Sequence, residues 1–207
     1  MQSLNKINNE TGKVKGVHIF SICKATDDLA ISLQQEIELV RKWREMAIKT
    51  GNATEKVLRS LWEQYQFLIH ELHKRFLVRQ IIVENITTTA GRSVLAQRLA
   101  GTNTYTANIT HTALGSSATA AAIGNTQLGT EVYRKALSSG TSSSNVAYIE
   151  TFYTAAETSG TYEEYGNFID GTGAANSGQL FNRFTQTITK SVTETLNVQS
   201  QITINDA

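Results

Sequence analysis

The sequence predicts an α+β chain: an N-terminal strand and a helical hairpin or coiled-coil stem, followed by an antiparallel β-sandwich. Three observations carry this. Of the 19 Lys and Arg and 18 Asp and Glu, 23 fall in the first 86 residues and only 14 in the remaining 121. That charge-poor remainder instead carries 23 Thr and 12 Ser. Its polar and apolar residues alternate in short runs broken by Gly and Ser, the period of antiparallel strands, whereas the first part repeats at spacings of three and four. The predicted division is 1–79, an N-terminal arm and helical stem, and 80–207, a β-sandwich head.

The arm is the run Lys15 to Lys24, rich in β-formers. On a strand, Val17, Ile19, Ser21 and Cys23 share one face and His18, Phe20 and Ile22 the other. With apolar residues on both faces, such a terminal strand needs a partner sheet, either in this chain or, as an added arm, at the sheet edge of another subunit.

Thr26-Asp27-Asp28 supplies side-chain oxygens and negative charge for a helix start. Leu29, Leu33, Ile37, Val40, Trp43 and Ala47 follow on one face, and Gly51 supplies the stop. Asn52 with Glu55 resembles a capping box for a second helix. In that helix Leu58, Leu61, Tyr65, Leu68, Leu72 and Arg75 keep a 3-4-3-4 rhythm, a coiled-coil seam until its last position. Trp62, Ile69 and Phe76 form a second stripe at spacing seven. Two readings follow: a hairpin packed on itself, or a homo-oligomeric bundle in which one stripe meets the first helix and the other meets symmetry mates. The candidate assembly residues are therefore Leu58, Leu61, Trp62, Tyr65, Leu68, Ile69, Leu72 and Phe76. His70 and His73 lie three apart, but two histidines without a Cys or a placed carboxylate make a weak metal site.

The head opens with a strand-like segment, Gln80 to Thr89, and a short helix from Ala90 to Gly101 that turns Val94, Leu95 and Leu99 inward. Tyr105, Ala107, Ile109, His111 and Ala113 then alternate with Thr104, Thr106, Asn108, Thr110 and Thr112, predicting one buried and one wet face. Gly115 to Gly124 reads as a loop. Further strands are predicted at 126–135, 146–154, 162–169, 179–188 and 195–205, at sandwich-like spacing. With no proline in the chain, turns fall to Gly, Asn, Asp, Ser and Thr, and every strand interior keeps its N–H.

Catalytic constellations are missing from the sequence: there is no Gly-x-Ser-x-Gly elbow, no phosphate-binding Gly-x-x-x-x-Gly-Lys and no Cys/His ligand cluster. Adjacent Glu163 and Glu164 point to opposite faces of a strand. His111 reads as a core residue and Asp170-Gly171 as a turn. No enzyme activity, cofactor, metal or catalytic residue is expected. A net charge of +1, with basic and acidic residues interleaved, gives no reason to expect nucleic acid. One cysteine, Cys23, fits a reducing cytosol. No run nears the roughly 20 apolar residues of a membrane span, and the first ten residues lack signal-peptide order, so a soluble chain outside the usual secretory route is expected.

The series Ala90-Gly91-Arg92, Leu95-Ala96, Leu99-Ala100-Gly101, then Ala113-Leu114-Gly115 and Leu128-Gly129-x-Glu131-x-x-Arg134-Lys135 is followed by Tyr165-Gly166-x-Phe168. Gly178-x-Leu180-Phe181-x-Arg183, Thr189-Lys190 and Glu194-Thr195-Leu196 complete it. In this order, across about Ile82 to Asn205, the series resembles a β module of tailed-bacteriophage virion proteins found in tail-fibre, baseplate and other appendage proteins. The resemblance implies a structural virion component, tail- or neck-associated, that acts by assembly and not catalysis and is made in a bacterial host cytoplasm. Its implied partners are other virion proteins and its own copies, a trimer being favoured. The alternatives are a head or collar decoration protein, or a fibre head that binds a host glycan or receptor, for which Tyr162 and Tyr165 are the candidate aromatics. Independently of the resemblance, Gly129 and Gly166 suit tight turns or bulges, and Glu131 with Arg134 suits an ion pair in the sandwich.

Overall fold

The computed structural model describes residues 14–102 and 104–204. The first ten residues, read above for a signal peptide, and Asn205, expected to end the last strand, lie outside the described residues. The arm is a strand, Val14–Lys24 (β1), and it is an inner one. It pairs antiparallel with Glu194–Ile204 (β10) on one side and Leu77–Glu84 (β2) on the other. Its partners are thus in its own chain, and they satisfy both of its hydrogen-bonding edges. Val146–Tyr153 (β7) and Ser139–Ser143 (β6) complete a five-stranded sheet in the order β2-β1-β10-β7-β6. The predicted boundary between 79 and 80 falls inside β2, so the two predicted parts share one sheet.

The second sheet holds Ile86–Thr87 (β3), Gln179–Lys190 (β9), Gly160–Ile169 (β8), Ile109–Gly115 (β4) and Glu131–Ala136 (β5), in the order β3-β9-β8-β4-β5. Its pairings, like those of the first, are antiparallel. The sheets face each other across a core that draws Phe20 and Ile22 from β1, Tyr153 from β7 and Val198 from β10 against Leu114, Tyr165 and Phe184. Phe20 meets the Tyr165 ring edge-on at 5.5 Å and the Phe184 ring at 5.3 Å, the geometry that aromatic quadrupoles favour.

Two helices cover the outer face of the first sheet. Asp28–Lys49 (α1) starts at Asp27, whose carboxylate accepts the Leu29 N–H at 2.9 Å. Glu55–Phe76 (α2) is capped by Thr54, whose hydroxyl accepts the Val57 N–H at 3.3 Å. Asn52, the predicted cap, instead closes α1: its N–H donates to the Ala47 carbonyl after Gly51 turns the chain at φ 72°. Leu33, Ile37 and Val40 of α1 and Tyr65, Leu68 and Leu72 of α2 pack together over Cys23 and Phe152 of the sheet. Leu29 and Trp43, expected on this face, are exposed, because the buried stripe runs through Ala30, Leu33, Ile37 and Val40.

Thr89–Leu99 (α3) is capped by the Thr88 hydroxyl and rests on β9 so closely that a Cβ on Gly91 would lie 2.6 Å from the Phe181 carbonyl oxygen. Val94 is buried as expected, but Leu99 is 92% exposed, since only the first turns of α3 meet the sandwich. The alternation predicted from Thr104 breaks at Ala107, whose φ is 66°, and β4 starts at Ile109. There Thr112 points into the sandwich, bonded to Thr151 and Tyr153, while Ala113 faces outward beside Leu128, Phe168 and Leu180. Residues 116–130 cross that outer face, so neither side of β4 is fully wet.

Candidate assembly surface

The eight predicted assembly residues lie on α2, and most are taken up within their own chain. Tyr65, Leu68, Ile69 and Leu72 are buried between α1 and the first sheet, with Leu61 and Phe76 packed at the margin. Leu58 and Trp62 are half-buried. Tyr65 reaches the sheet through its hydroxyl, which donates to Asn197 Oδ1 at 2.7 Å. The 3-4-3-4 seam therefore meets α1 and β10, and no partner chain is required to cover it. Arg75, which ended the rhythm, is exposed and pairs with Glu71 at 3.4 Å.

Beneath α2 sits Glu150 of β7, which is fully buried. Its carboxylate accepts from Gln66 Nε2, from Gln199 Nε2 at 3.1 Å and from Asn197 Nδ2 at 3.4 Å. Burial raises its pKa above the ordinary carboxylate range, and the three amides only partly oppose that. A second tie joins α1 to the sandwich: Lys135 Nζ donates to Glu38 at 2.9 Å, to Glu157 at 2.6 Å and to the Phe152 carbonyl at 2.7 Å. Cys23 lies under the hairpin, and burial pushes its thiol up to about 12, so it is no nucleophile.

With the hairpin docked, an apolar stripe remains on the outside of α1. Leu39, Trp43 and Met46 stand at i, i+4 and i+7 and are 45%, 40% and 55% exposed. On α2, Val57 and Phe67 are also exposed. Spacing of three and four places the α1 residues on one face.

The head has its own buried charges. Glu164 of β8 is fully buried and meets Arg183 Nε at 2.8 Å. Its carboxylate also accepts the N–H groups of Gly129 at 2.9 Å, Thr130 at 2.7 Å and Ser117 at 3.3 Å. Arg183 in turn donates to the Thr119 and Ala120 carbonyls and to Asn125. This pair clips the 116–130 segment onto the sheet. Burial alone would raise the Glu164 carboxyl, but the Thr130 and Gly129 N–H groups and Arg183 outweigh it and hold the pKa below the usual range. Glu163 points the other way, to Thr187. The Glu131–Arg134 pair forms as expected, at 2.7 Å and nearly buried.

His111 is half-buried, with Nδ1 3.1 Å from the Thr110 hydroxyl. Asp170, at φ 49°, accepts from the Thr106 N–H and hydroxyl, so its oxygens serve the turn. Tyr162 and Tyr165, the candidate glycan aromatics, lie in the core. Tyr165 sits opposite Phe20 and bonds Asn167, which removes both tyrosines from any surface site. Burial, with His70 alongside, lowers His73 to about 4. Among the described residues no group of three or more His, Cys, Asp or Glu could hold a metal ion.

Glu150, Glu164 and Arg183 were not singled out as one set by sequence reasoning. A signal was present for Glu150, the one charge in β7, and for Arg183, set among apolar residues in the first half of β9; such a charge must be paired if buried. No family model, curated protein or solved structure matches the chain.

Proposed function

We propose that the protein is a structural component of a tailed-bacteriophage virion, a tail- or neck-associated appendage protein that acts by assembly and not catalysis. The observation that carries the assembly reading is the exposed Leu39-Trp43-Met46 stripe on α1. It remains after α1 and α2 have satisfied each other, and large apolar residues at helical spacing on an outer face suit a partner surface. The ordered resemblance across residues 82–205 supplies the phage context and favours three copies. The acidic side chains support a scaffold: buried Glu150 and Glu164 and half-buried Glu157 are each committed to hydrogen bonds or ion pairs that join elements, and Glu131 pairs with Arg134 within β5.

The assembly surface moves, on this reading, from α2 to α1. Two measurements test it. Purified particles of the phage that encodes the chain should contain it at a fixed copy number, and gold-labelled antibody should place it on the tail or neck. Light scattering at micromolar concentration should report an oligomer that Trp43→Asp with Met46→Asp dissociates without changing the circular dichroism. A chain absent from the particles overturns the virion reading, and a monomeric wild type overturns self-assembly.

A further inference from the structure

Between α2 and the β6–β7 side of the first sheet lies a groove of about 460 Å³, within the ~300–1,000 Å³ of small-molecule sites. It has two aromatic walls, Trp62 of α2 and Tyr148 of β7. Trp62 Nε1 is buried and has no acceptor among the described residues. An orphaned buried donor is unfavourable, and Trp62 contributes to the groove through its ring.

Two amides, Gln66 and Gln199, also line the groove. Both are held from below, since both donate to the buried Glu150, and Gln199 Oε1 accepts from Gln201 Nε2 at 3.1 Å. Gln66 donates one amide N–H to Glu150. Across from them, β6 contributes the hydroxyls of Thr141, Ser142 and Ser143. At the lip, Arg59 is paired with Glu55 at 3.1 Å, and Glu63 stands one turn further along α2. Two carboxylates against one guanidinium disfavour an anionic guest.

We propose that this groove binds a neutral saccharide. A pyranose presents an apolar C–H face and a rim of hydroxyls that both donate and accept. Aromatic walls match the face, while pre-oriented amides and side-chain hydroxyls match the rim. The Glu150 network fixes the amides before any ligand arrives, which lowers the ordering cost of binding. The inference stands independently of the virion reading and lies on a different face from the α1 stripe.

The test uses the full chain labelled with 5-fluorotryptophan and three neutral probes at millimolar concentration: maltose, cellobiose and N,N′-diacetylchitobiose. The expected result is a saturable shift of the Trp62 fluorine resonance with Trp43 unmoved, and saturation transfer to the sugar C–H protons, for at least one probe. Trp62→Ala, which also removes the reporter resonance, should abolish the saturation transfer. Trp62→Phe, which keeps a smaller aromatic wall, should keep saturable binding at weaker affinity. Silence with all three probes overturns the proposal. So does binding that survives Trp62→Ala in a variant that melts like wild type, or a sialylated probe that outcompetes the neutral ones. A Trp62 resonance that moves with protein concentration and ignores sugar would assign the groove to a protein segment, and likewise overturns it.

Discussion

Glu164 and Arg183 show what one buried pair can hold. A carboxylate and a guanidinium removed from water are stable only when every lone pair and N–H finds a partner, and here the partners are backbone groups of the 116–130 segment. Glu164→Gln should lower stability by about 3–5 kcal/mol, as for other buried pairs broken on one side, read from urea midpoints. Amide exchange in 116–130 should rise with it. His18 carries a different prediction. It is fully buried with Nδ1 2.6 Å from Ser200 Oγ, and burial lowers its pKa from 6.5 to about 3. The unfolded chain therefore binds a proton between those values that the folded chain refuses. This contribution is intact above pH 6.5 and is lost as pH falls toward 3. By pH 4.5 the loss should be about 2–3 kcal/mol. In His18→Phe the drop in urea midpoint between pH 7.5 and 4.5 should shrink by that amount; an unchanged drop would remove His18 as its source. The Glu131–Arg134 pair was legible because its members lie only three positions apart in the chain. Glu164–Arg183 was not, because its register depends on shifts near Tyr162 and Asn167 in the β8–β9 pairing that no local pattern announces.

At the scale of elements, the helices could be read from spacing alone, but their partners could not. The α2 rhythm gives a buried face, and either a symmetry mate or its own sheet would satisfy it. The choice is made by β1, β7 and β10, whose outward residues Cys23, Phe152 and Asn197 receive the hairpin. β6 escaped notice because Ser139-Gly140-Thr141-Ser142-Ser143 has no apolar alternation, and as an edge strand it needs little. Leu68→Ala or Leu72→Ala should each cost about 2–5 kcal/mol, the range for truncating a buried leucine. Cys23 reports the same event, because its thiol is reachable only when the hairpin lifts. Iodoacetamide labelling should be slow in the wild type and accelerate at least as much as stability falls. Rapid labelling of the wild-type chain would mean that the hairpin is not docked. Leu61→Asp with Leu68→Asp should accordingly disrupt the fold itself, beyond any change in association.

The whole molecule is tied together by the placement of its first described strand. A head beginning at Gln80 looks autonomous in the sequence, because its own strands alternate and its composition is charge-poor. In the structure such a fragment lacks β1, which pairs with β10 over Val14 to Lys24 and supplies Phe20 and Ile22 to the core between the sheets. Its removal would leave β10 as an unpaired edge next to an emptied aromatic cluster, and β2 without its only partner strand among the described residues. Burial of a Phe or Ile side chain is worth roughly 1.5–3 kcal/mol, so these two residues alone approach the lower end of the ~5–15 kcal/mol that holds an ordinary domain. The fragment 80–207 should therefore show no cooperative thermal transition and no near-ultraviolet circular dichroism. Adding a peptide of residues 13–25 in trans should restore part of both, since the missing strand docks through backbone pairing on two sides. A cooperative melt of 80–207 alone would mean that the β10 edge and the remaining core suffice, and would return the boundary to residue 79.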